Sequence, residues 1–478
     1  MDELKASQLA GMVGGRLIAD RSVTIGPDVV IDSRLVTEGA LFVALPGDRT
    51  DGHAFVPAAV AAGAAAVLVS HPVDTRAAQI VVDDTTQALG RLATAVVATA
   101  RENGLRCVGI TGSSGKTSTK DLLAAVLRVG GSTVAPRGSF NNEIGVPLTA
   151  CGVDADTRFL IAEMGARGQG HVAELCRIVP PDVGVVLNVG HAHLGEFGSV
   201  AAIARAKGEL VEALGPDGWA VLNADDSSVL GMASRTAARL ATWSLRGEPT
   251  HGELRVWAED IRADEWQRHS FTLRSAGTRE TAVAVSLQVS GAHQIGNALA
   301  AATVGLIEGL DPEPVAQSLS RAVAVSRWRM EILRRSDGVV IVNDAYNANP
   351  DSMRAALEAL AGMRRPSGRL VAVLGDMLEL GIEAAVQHEA IGELAAQLGI
   401  DEVVAVGEFA SAIVAGARRG GVEAVAVLNP DAALAAAAGR VSPPDVVLVK
   451  ASRGLALESV AERLATGDAA GHGEEGTA

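Results

Sequence analysis

Residues 106–129, RCVGITGSSGKTSTKDLLAAVLRV, decide the fold of this chain. Their first part, Arg106 to Thr111, is an apolar, β-branched run that predicts a strand, and Thr119 to Val129 predicts a helix. The Gly/Ser-rich turn between them, Gly112 to Thr117, offers backbone N–H groups and a helix N-terminus, which together bind phosphate oxygens. The stretch therefore predicts a phosphate-binding strand–loop–helix unit of an α/β fold.

The loop departs from the common phosphate-binding pattern at one position. That pattern places a glycine five positions before the glycine of the Gly-Lys pair, and Ile110 stands there in this chain. We interpret the loop as a shortened variant, in which Lys116 reaches the β- and γ-phosphates and the Thr117 hydroxyl binds Mg²⁺. An ordinary Gly/Ser turn with a solvated lysine is the alternative. The strand before the loop and the helix after it favour phosphate binding.

Composition indicates a soluble, cytosolic protein of several domains. The chain has 478 residues, 48% of them hydrophobic and 3% aromatic, which is enough for about two to four domains. Its 41 basic and 56 acidic residues give a net charge of −15, which argues against a broad nucleic-acid or anionic-membrane surface. The three cysteines form neither a metal-binding spacing nor a disulfide framework, so we expect them to be reduced and buried. No signal peptide and no membrane span are predicted.

Strand and helix patterns divide the chain into three blocks. The first, 1–104, is compact and mixed, and it ends in a predicted helix from Thr86 to Asn103. The second, 105–325, contains the phosphate loop. In the third, 326–465, short apolar runs alternate with helical segments, which is typical of a parallel sheet covered on both faces. The Gly/Glu/Ala-rich tail, 466–478, is predicted to be disordered.

The patterns also predict individual elements. The predicted strands are Ala40 to Leu45, Ala66 to Ser70, Phe159 to Met164, Val183 to Val189, Trp219 to Asn223, Val339 to Asn343, Leu370 to Leu374, Val403 to Val406, Ala424 to Leu428 and Val446 to Lys450. The further predicted helices are Gln294 to Gly309, Ser352 to Ala361 and Glu383 to Leu398.

Other segments carry residues suited to binding a metal ion. Glu163 ends an apolar strand, where a carboxylate faces the ligand crevice of an open α/β sheet and can bind Mg²⁺; a surface glutamate is the alternative. His191 and His193 follow another strand end. Their spacing invites a zinc interpretation, but no third ligand is close, and hydrogen-bonding structure is the other interpretation. Lys207 lies in a helical stretch, and spacing alone gives it no role.

Motifs along nearly the whole chain resemble those of the Mur ligases, the ATP-dependent amino-acid-adding enzymes of peptidoglycan synthesis. In chain order these motifs are IDSR near residue 32, TGSSGKTS, EMGA, the 188–193 segment, AKGE, RWRME, DAYNANPDSM and KASRG near residue 450. DAYNANPDSM and LGDMLELG resemble the member of the family that adds D-alanyl-D-alanine. The DNPR motif of the member that adds the third residue does not occur in the sequence.

The resemblance implies a fold and an activity. We expect an N-terminal UDP-substrate-binding α/β domain, a central P-loop-type ATPase α/β domain and a C-terminal Rossmann-like doubly wound domain. ATP would phosphorylate the terminal carboxylate of UDP-N-acetylmuramoyl-tripeptide, and the amine of D-alanyl-D-alanine would then attack the acyl phosphate. We expect a cytoplasmic monomer that needs Mg²⁺, has no nucleic-acid partner and is not inserted in a membrane.

The resemblance also implies roles for individual residues. Lys207 corresponds to a lysine that CO₂ carbamylates in this family, which would make it an oxygen ligand beside magnesium. The implied catalytic residues are Lys116, Glu163, His193, Lys207 and Arg329, and the implied metal ligands are Thr117, Glu163, His193 and Lys207. The implied nucleotide-binding residues are Gly112, Ser113, Ser114, Gly115, Lys116, Thr117, Ser118, His293, Asn297, Arg329, Asp344 and Asn347. The implied substrate contacts are Ser33, Arg34, Gly47, Asn141, Asn142, Ser452 and Arg453.

Several alternatives stay open at the level of the sequence. A ligase of the same superfamily could add diaminopimelate, lysine or glutamate. A P-loop kinase or NTPase would have no ordered C-terminal sheet domain, and the third block speaks against it. A non-catalytic nucleotide-binding protein would have no need of Glu163, Lys207 and Arg329 together. The identity of the tripeptide's third residue, diaminopimelate or lysine, is left open.

Overall fold

The computed structural model describes residues 1–18, 22–47, 50–190 and 194–467, in which three main β-sheets follow one another along the chain. Each sheet is covered by helices, which confirms the predicted α/β class with three domains. None of the helices in these ranges is long and apolar enough to cross a bilayer. The three cysteines are free and buried, as predicted.

The N-terminal domain has short strands and three helices. The elements are β1 (Leu4–Lys5), α1 (Ala6–Val13), β2 (Arg16–Ile18), β3 (Thr24–Ile25), β4 (Val29–Val30), β5 (Leu41–Val43), α2 (Val56–Ala61), β6 (Ala66–Val69), β7 (Ala78–Val81) and α3 (Thr85–Glu102). Strands β4 to β7 are parallel neighbours, β2 is antiparallel to β7, and β1 pairs separately with β3. Leu89 of α3 and Leu175 of the next domain belong to one buried apolar cluster, so the two domains share a core.

The central domain is built on a nine-stranded sheet. Its elements are β8 (Arg106–Thr111), α4 (Lys116–Leu127), β9 (Thr133–Val134), α5 (Gly145–Ala150), β10 (Phe159–Glu163), α6 (His171–Ile178), β11 (Val183–Val186), α7 (Leu194–Phe197), α8 (Val200–Glu212), β12 (Trp219–Asn223), α9 (Ser227–Leu230), β13 (Arg239–Ser244), β14 (Leu254–Ala263), β15 (Arg268–Gly277), β16 (Thr281–Ser290), α10 (His293–Ile307) and α11 (Pro312–Arg321). The strand order is β16-β15-β14-β13-β12-β11-β8-β10-β9. Pairing is parallel from β9 to β14 and antiparallel from β14 to β16.

Strand β8 lies at the point where the strand order reverses, between β10 on one side and β11 on the other. At such a point the loops diverge and open a crevice at the carboxyl ends of the strands. Thr111 ends β8, Glu163 ends β10 and Asn188 follows β11. The topology therefore brings the phosphate loop and Glu163 to one place.

The C-terminal domain is a doubly wound sheet of six strands. Its elements are β17 (Glu331–Arg334), β18 (Val340–Asn343), α12 (Pro350–Gly362), β19 (Leu370–Gly375), α13 (Ala384–Gln397), β20 (Glu402–Val406), α14 (Ala410–Arg419), β21 (Glu423–Val427), α15 (Pro430–Ala438), β22 (Val446–Lys450) and α16 (Glu458–Thr466). The order is β17-β18-β22-β19-β20-β21, and only β17 is antiparallel among these described strands. Asp344 follows β18 and Lys450 ends the neighbouring β22, so both side chains reach the same edge of the sheet.

The predicted elements differ from the structure at several points, of which the following bear on the site and the central sheet. Helix α4 begins at Lys116 rather than Thr119, because the turn ends directly in the helix. Strand β11 ends at Val186 rather than Val189, which leaves Asn188 in a loop. The antiparallel strands β14 to β16 are not among the predicted strands. In β15 two of the alternating buried positions are polar, His269 and Ser275, which makes the hydrophobic alternation incomplete. Of the predicted tail, residues 468–478 lie outside the described ranges, and α16 extends to Thr466.

Candidate functional site

The phosphate loop, residues 112–117, is held in shape by its own contacts before any ligand binds. Lys116 Nζ donates to the Gly112 carbonyl oxygen at 2.7 Å, so the lysine folds over the loop. The Asn188 side chain accepts a hydrogen bond from the Ser114 N–H at 2.9 Å and donates to the Ser114 carbonyl oxygen at 3.2 Å. A preshaped loop that runs into a helix N-terminus is suited to bind phosphate groups.

Gly115 is required by both backbone and packing. Its φ of 80° lies in the left-handed region that favours glycine. A Cβ atom at this position would lie 2.7 Å from Asn297 Oδ1, which accepts a hydrogen bond from the Thr119 hydroxyl. Asn297 also donates to Gln294 Oε1 at 2.9 Å. Helix α10 therefore packs against the start of α4 only because residue 115 has no side chain.

Glu163 is fully buried and accepts three hydrogen bonds from uncharged donors. These donors are the hydroxyls of Thr117 and Ser139, both at 3.0 Å, and the side-chain amide of Asn141 at 2.9 Å. Hydroxyl and carboxylate oxygens are hard ligands of the kind that Mg²⁺ prefers. The pairing of Thr117 with Glu163 at the loop thus provides a donor set that fits a magnesium ion.

Arg329 reaches the phosphate loop from the C-terminal side of the molecule. Its Nη2 donates to the Thr117 hydroxyl at 3.2 Å, and its guanidinium lies 4.1 Å from the centre of the Tyr346 ring. Its Nε is buried and has no hydrogen-bond partner within the described part of the chain. An unsatisfied buried donor is costly unless a ligand pairs with it, so this orientation fits a guanidinium that receives a phosphate oxygen.

Lys207, on α8, carries a buried amine close to the loop. Only 3% of the residue is exposed, and among the described residues it has no hydrogen-bond or ion-pair partner. Burial lowers the pKa of this amine well below its ordinary value, and the nearby cation of Lys116 lowers it further. Burial also lowers the pKa of Lys116, although the Glu163 carboxylate opposes that effect.

Several basic side chains lie close to the loop. Lys116 and Arg329 contact it and Lys207 lies near Lys116, while the Glu163 carboxylate bonds to Thr117. Buried charge is expensive unless it is paired. The site is therefore built to receive anionic ligands, and phosphate groups at the loop meet that requirement.

Contacts of the C-terminal domain complete the site from the other side. Lys450 Nζ lies 2.6 Å from Asp344 Oδ2 and donates to the Asn347 carbonyl oxygen at 2.9 Å. Asp344 Oδ1 accepts a hydrogen bond from the Met330 N–H at 3.1 Å, next to Arg329. Asp344 thus fixes the segment that carries Arg329.

His293, at the start of α10, also lines the site. Burial lowers the pKa of this histidine to about 4, so its ring is neutral near pH 7.

All these groups line one cavity of about 1550 Å³ between the three domains. Gln87 and Arg91 of α3 lie at one end, and Tyr346 and Lys450 of the C-terminal domain lie at the other. Single small-molecule sites measure roughly 300–1,000 Å³, so this cavity has room for a nucleotide and a second substrate. The predicted site residues that line it are Gly115, Lys116, Thr117, Ser113, Ser114, Ser118, Asn141, Asn142, Glu163, Lys207, His293, Asn297, Arg329, Asp344 and Asn347.

Other predicted site residues lie elsewhere. The Arg34 guanidinium pairs with Asp32 at 2.6 Å on the exposed surface, beside Ser33, and Gly47 precedes residues 48–49, which are outside the described ranges. The Ser452 hydroxyl accepts a hydrogen bond from the Leu378 N–H at 3.0 Å, and the Arg453 guanidinium lies 4.1 Å from the Trp328 ring. His191 and His193 lie outside the described residues, so their zinc and hydrogen-bonding interpretations both stay predictions.

Sequence reasoning missed two residues that shape the site. Ser139 donates to Glu163 across 24 positions of sequence, and no local pattern indicates this contact. Asn188 received no role of its own, although it directly follows a predicted strand and has two hydrogen bonds to the phosphate loop. A polar side chain after a strand next to the loop was the available signal for Asn188.

Comparisons with known proteins match the chain along almost its full length. Residues 28–97, 110–305 and 328–453 match family models described as the Mur ligase family catalytic domain, the Mur ligase middle domain and the Mur ligase glutamate ligase domain. A UDP-N-acetylmuramoyl-tripeptide--D-alanyl-D-alanine ligase of Mycobacterium tuberculosis is 45% identical, with 98% of this chain and 99% of the relative covered. The ligase of the same name from Escherichia coli is 38% identical over 86% and 88% of the two chains.

Solved structures of Mur ligases also superimpose on the chain over nearly its whole length. A MurF structure from Acinetobacter baumannii superimposes with a TM-score of 0.86 at 31% identity, and 97% of this chain and 99% of that chain are covered. A MurF ligase of Thermotoga maritima in complex with ADP has a TM-score of 0.75 at 29% identity, with 92% and 97% covered.

Proposed function

This chain belongs to the Mur ligase family, and we propose that it uses ATP to join D-alanyl-D-alanine to UDP-N-acetylmuramoyl-tripeptide in peptidoglycan synthesis. Similarity to ligases of that name over nearly the whole chain supports the choice of substrates. The observation that carries the chemistry is the convergence of Lys116, Lys207 and Arg329 with Glu163 on one phosphate loop.

The direct experiment incubates the purified chain with its proposed substrates. ATP, D-alanyl-D-alanine and UDP-N-acetylmuramoyl-tripeptide together should give the UDP-muramoyl-pentapeptide, detected by mass spectrometry, with one ADP and one phosphate per amide formed. Replacing the dipeptide with diaminopimelate, lysine or glutamate should give no product. Amide formation with one of those amino acids and none with the dipeptide would assign the chain to another step of the pathway.

The site residues suggest how phosphoryl transfer proceeds. Such transfer depends mostly on positioning and on neutralising charge on the phosphate oxygens. In this proposal Lys116 and the N–H groups of the loop bind the β- and γ-phosphates, and Arg329 binds the γ-phosphate from the opposite side. Thr117 and Glu163 would hold Mg²⁺, which supplies charge neutralisation when bound.

Amide formation follows from activating the carboxylate. Oxygen of the tripeptide's terminal carboxylate attacks the γ-phosphorus, ADP leaves, and an acyl phosphate results. The free amine of D-alanyl-D-alanine then attacks the acyl carbon, phosphate leaves, and the amine loses a proton. Because the acyl phosphate must be kept from water, the three-domain lining of the cavity is a functional requirement.

Other roles are proposed from the resemblance and the position of each residue. His293 and Asn297 would contact the adenine side of ATP, and Asp344 and Asn347 would shape the nucleotide site from the C-terminal domain. The remaining residues proposed for substrate binding are Ser33, Arg34, Gly47, Asn141, Asn142, Ser452 and Arg453. We divide the chain at 1–104 for the UDP-substrate domain, 105–325 for the ATPase domain and 326–465 for the C-terminal domain.

Carbamylation of Lys207 is part of the proposal. Burial lowers the pKa of the Lys207 amine and so favours its neutral, nucleophilic form, which can attack CO₂, form an N–C bond and lose a proton. The product carries a negative charge and oxygen ligands, which would offset the basic groups around Thr117 and Glu163. His193, which lies outside the described residues, is kept as a proposed further ligand.

Surroundings and assembly complete the proposal. The free, buried cysteines fit a reducing compartment, and ATP and UDP-linked substrates fit the cytoplasm. We propose that the chain acts there as a monomer. Equilibrium sedimentation should give a mass near 48.8 kDa.

Replacing Gly115 with alanine is expected to weaken ADP binding by about fivefold to a hundredfold. The new Cβ would be strained at φ 80° and would displace Asn297, and such strain with overpacking costs about 1–3 kcal/mol. Isothermal titration calorimetry with ADP measures the loss. Gly104→Ala is the matched control, since Gly104 has φ 93° and no atom within 4 Å of an added Cβ. Wild-type affinity of Gly115→Ala would contradict the assigned packing.

A further inference from the structure

The linker between the central and C-terminal domains, residues 322–330, alternates between exposed and buried residues. It connects the end of α11 to the start of β17. Val323 and Val325 are 63% and 70% exposed, whereas Ser326 is only 8% exposed. Something other than hydrophobic burial therefore holds the linker at Ser326.

Two neighbouring residues of α4 hold this point. Asp121 Oδ2 accepts a hydrogen bond from the Ser326 N–H at 3.0 Å. Lys120 Nζ lies 2.6 Å from Asp121 Oδ1 and 3.4 Å from the Ser326 hydroxyl. Lys120 is only 2% exposed, so this ion pair is buried at the junction.

The same helix face carries the contact of Arg329. Thr117 and Asp121 are four positions apart on α4, so their side chains lie on one face, about 6 Å apart along the axis. Asp121 binds Ser326 and Thr117 binds Arg329, three residues further along the linker. The linker thus runs antiparallel to the phosphate-loop helix, with Asp121 as its first attachment and Thr117 as its second.

Backbone strain shows that Arg329 is actively held in place. The residues on both sides of it, Trp328 and Met330, have φ values of 59° and 53°. Left-handed conformations of side-chain-bearing residues cost about 1–3 kcal/mol each and persist only where surrounding contacts impose them. Asp344 accepts the Met330 N–H on the C-terminal side, and the Lys120–Asp121 pair supplies the attachment on the other side.

Lys120 also contacts the segment that precedes Ser139. Its Nζ donates to the Pro136 carbonyl oxygen at 3.0 Å. Three residues later, Ser139 donates to Glu163. One buried lysine therefore ties the segment that supports Glu163 to the linker that carries Arg329.

We propose that Lys120 and Asp121 are a positioning pair for phosphoryl transfer, which holds the linker at Ser326 so that the Arg329 guanidinium reaches the phosphate loop. The inference rests on the proposed function, in which Arg329 binds the γ-phosphate. Neither member of the pair lines the cavity in the described structure, so both act through Arg329 rather than on substrate. A buried ion pair is by itself weak evidence of stabilisation. The contacts of Lys120 and Asp121 with Ser326 and Pro136 instead indicate a role in positioning the linker.

The test measures steady-state kinetics of Asp121→Ala in the full chain. We expect kcat to fall about tenfold, while KM for ATP changes by less than about threefold, because the placement of Arg329 that Asp121 supports acts on the transition state. Glu308→Ala is the matched control. It removes a partly buried ion pair of the central domain, with Arg106 at 3.0 Å at the opposite end of β8, and should leave kcat within about threefold of wild type.

A double-mutant cycle separates positioning from general stability. In an Arg329→Ala background, Asp121→Ala should lower kcat by less than about twofold, because the side chain it positions is already gone. An equal fall of kcat in both backgrounds, or wild-type kcat of folded Asp121→Ala, would overturn the inference. If the alanine variant does not fold, Asp121→Asn is carried through the same cycle. Wild-type kcat of Arg329→Ala alone would instead contradict the proposed role of Arg329.

Discussion

Replacing Lys116 with alanine is expected to lower the rate of amide formation at least a thousandfold while the chain stays folded. The lysine is the basic group on the phosphate loop itself, and its Nζ already bonds to the Gly112 carbonyl oxygen. Loss of a positioned charge at a transferring phosphoryl group costs about 4 kcal/mol or more, which corresponds to this factor.

Stability should change little, or even rise, in the same variant. Burial lowers the pKa of Lys116, which means that its charged form is held in the folded chain at a cost. Lys116→Met keeps the apolar stem and should lose activity to the same extent, while Lys5→Ala, on the exposed surface, should not. Thermal unfolding checks the fold of each variant. A folded Lys116→Ala with wild-type-like amide formation would remove the lysine from the mechanism.

Lys207→Ala is expected to lose activity by about a thousandfold, because it would remove an oxygen ligand from the proposed magnesium site. Formate should restore much of this activity, since the space opened beside Thr117 and Glu163 would accept a small carboxylate in place of the carbamate. The measurement is the rate of phosphate release at increasing formate concentration. The activity of the wild-type chain should not respond to formate.

Arg205→Ala provides the control on the same helix. Arg205 is exposed and Lys207 is buried two positions later, so the control loses a basic group of α8 without touching the cavity. Full activity of Lys207→Ala without formate would contradict the carbamate hypothesis. If Lys207→Ala loses activity and formate does not restore it, Lys207 is required for activity but formate does not replace a carbamate there.

Most of the parallel strands can be predicted because they are short apolar runs bounded by turns. For Trp219 to Asn223 and Val446 to Lys450 the predicted and observed bounds agree to the residue. The antiparallel strands β14 to β16 escape prediction. In β15 the buried positions include the polar His269 and Ser275 beside Phe271 and Leu273, so the hydrophobic alternation is incomplete. The place of each strand in the sheet depends on which other strand it pairs with, and a local sequence pattern does not indicate that partner.

The centre of the site can be predicted for a similar reason. Lys116, Thr117 and Glu163 stand at strand ends or on the loop, where an α/β sheet collects ligand-binding residues. Their supports cannot be predicted. Ser139 reaches Glu163 across a loop, and Asp121 holds Ser326 across 205 positions. Contacts of such sequence separation arise only once the domains are in place.

Transfer of ¹⁸O from the tripeptide to phosphate tests the central claim most directly. UDP-N-acetylmuramoyl-tripeptide labelled in its terminal carboxylate is incubated with ATP, D-alanyl-D-alanine and the chain, and the released phosphate is analysed by mass spectrometry. The acyl-phosphate route predicts one labelled oxygen in phosphate for each amide formed. Amide formation with unlabelled phosphate, or ATP hydrolysis without any amide, would contradict carboxylate activation at this loop.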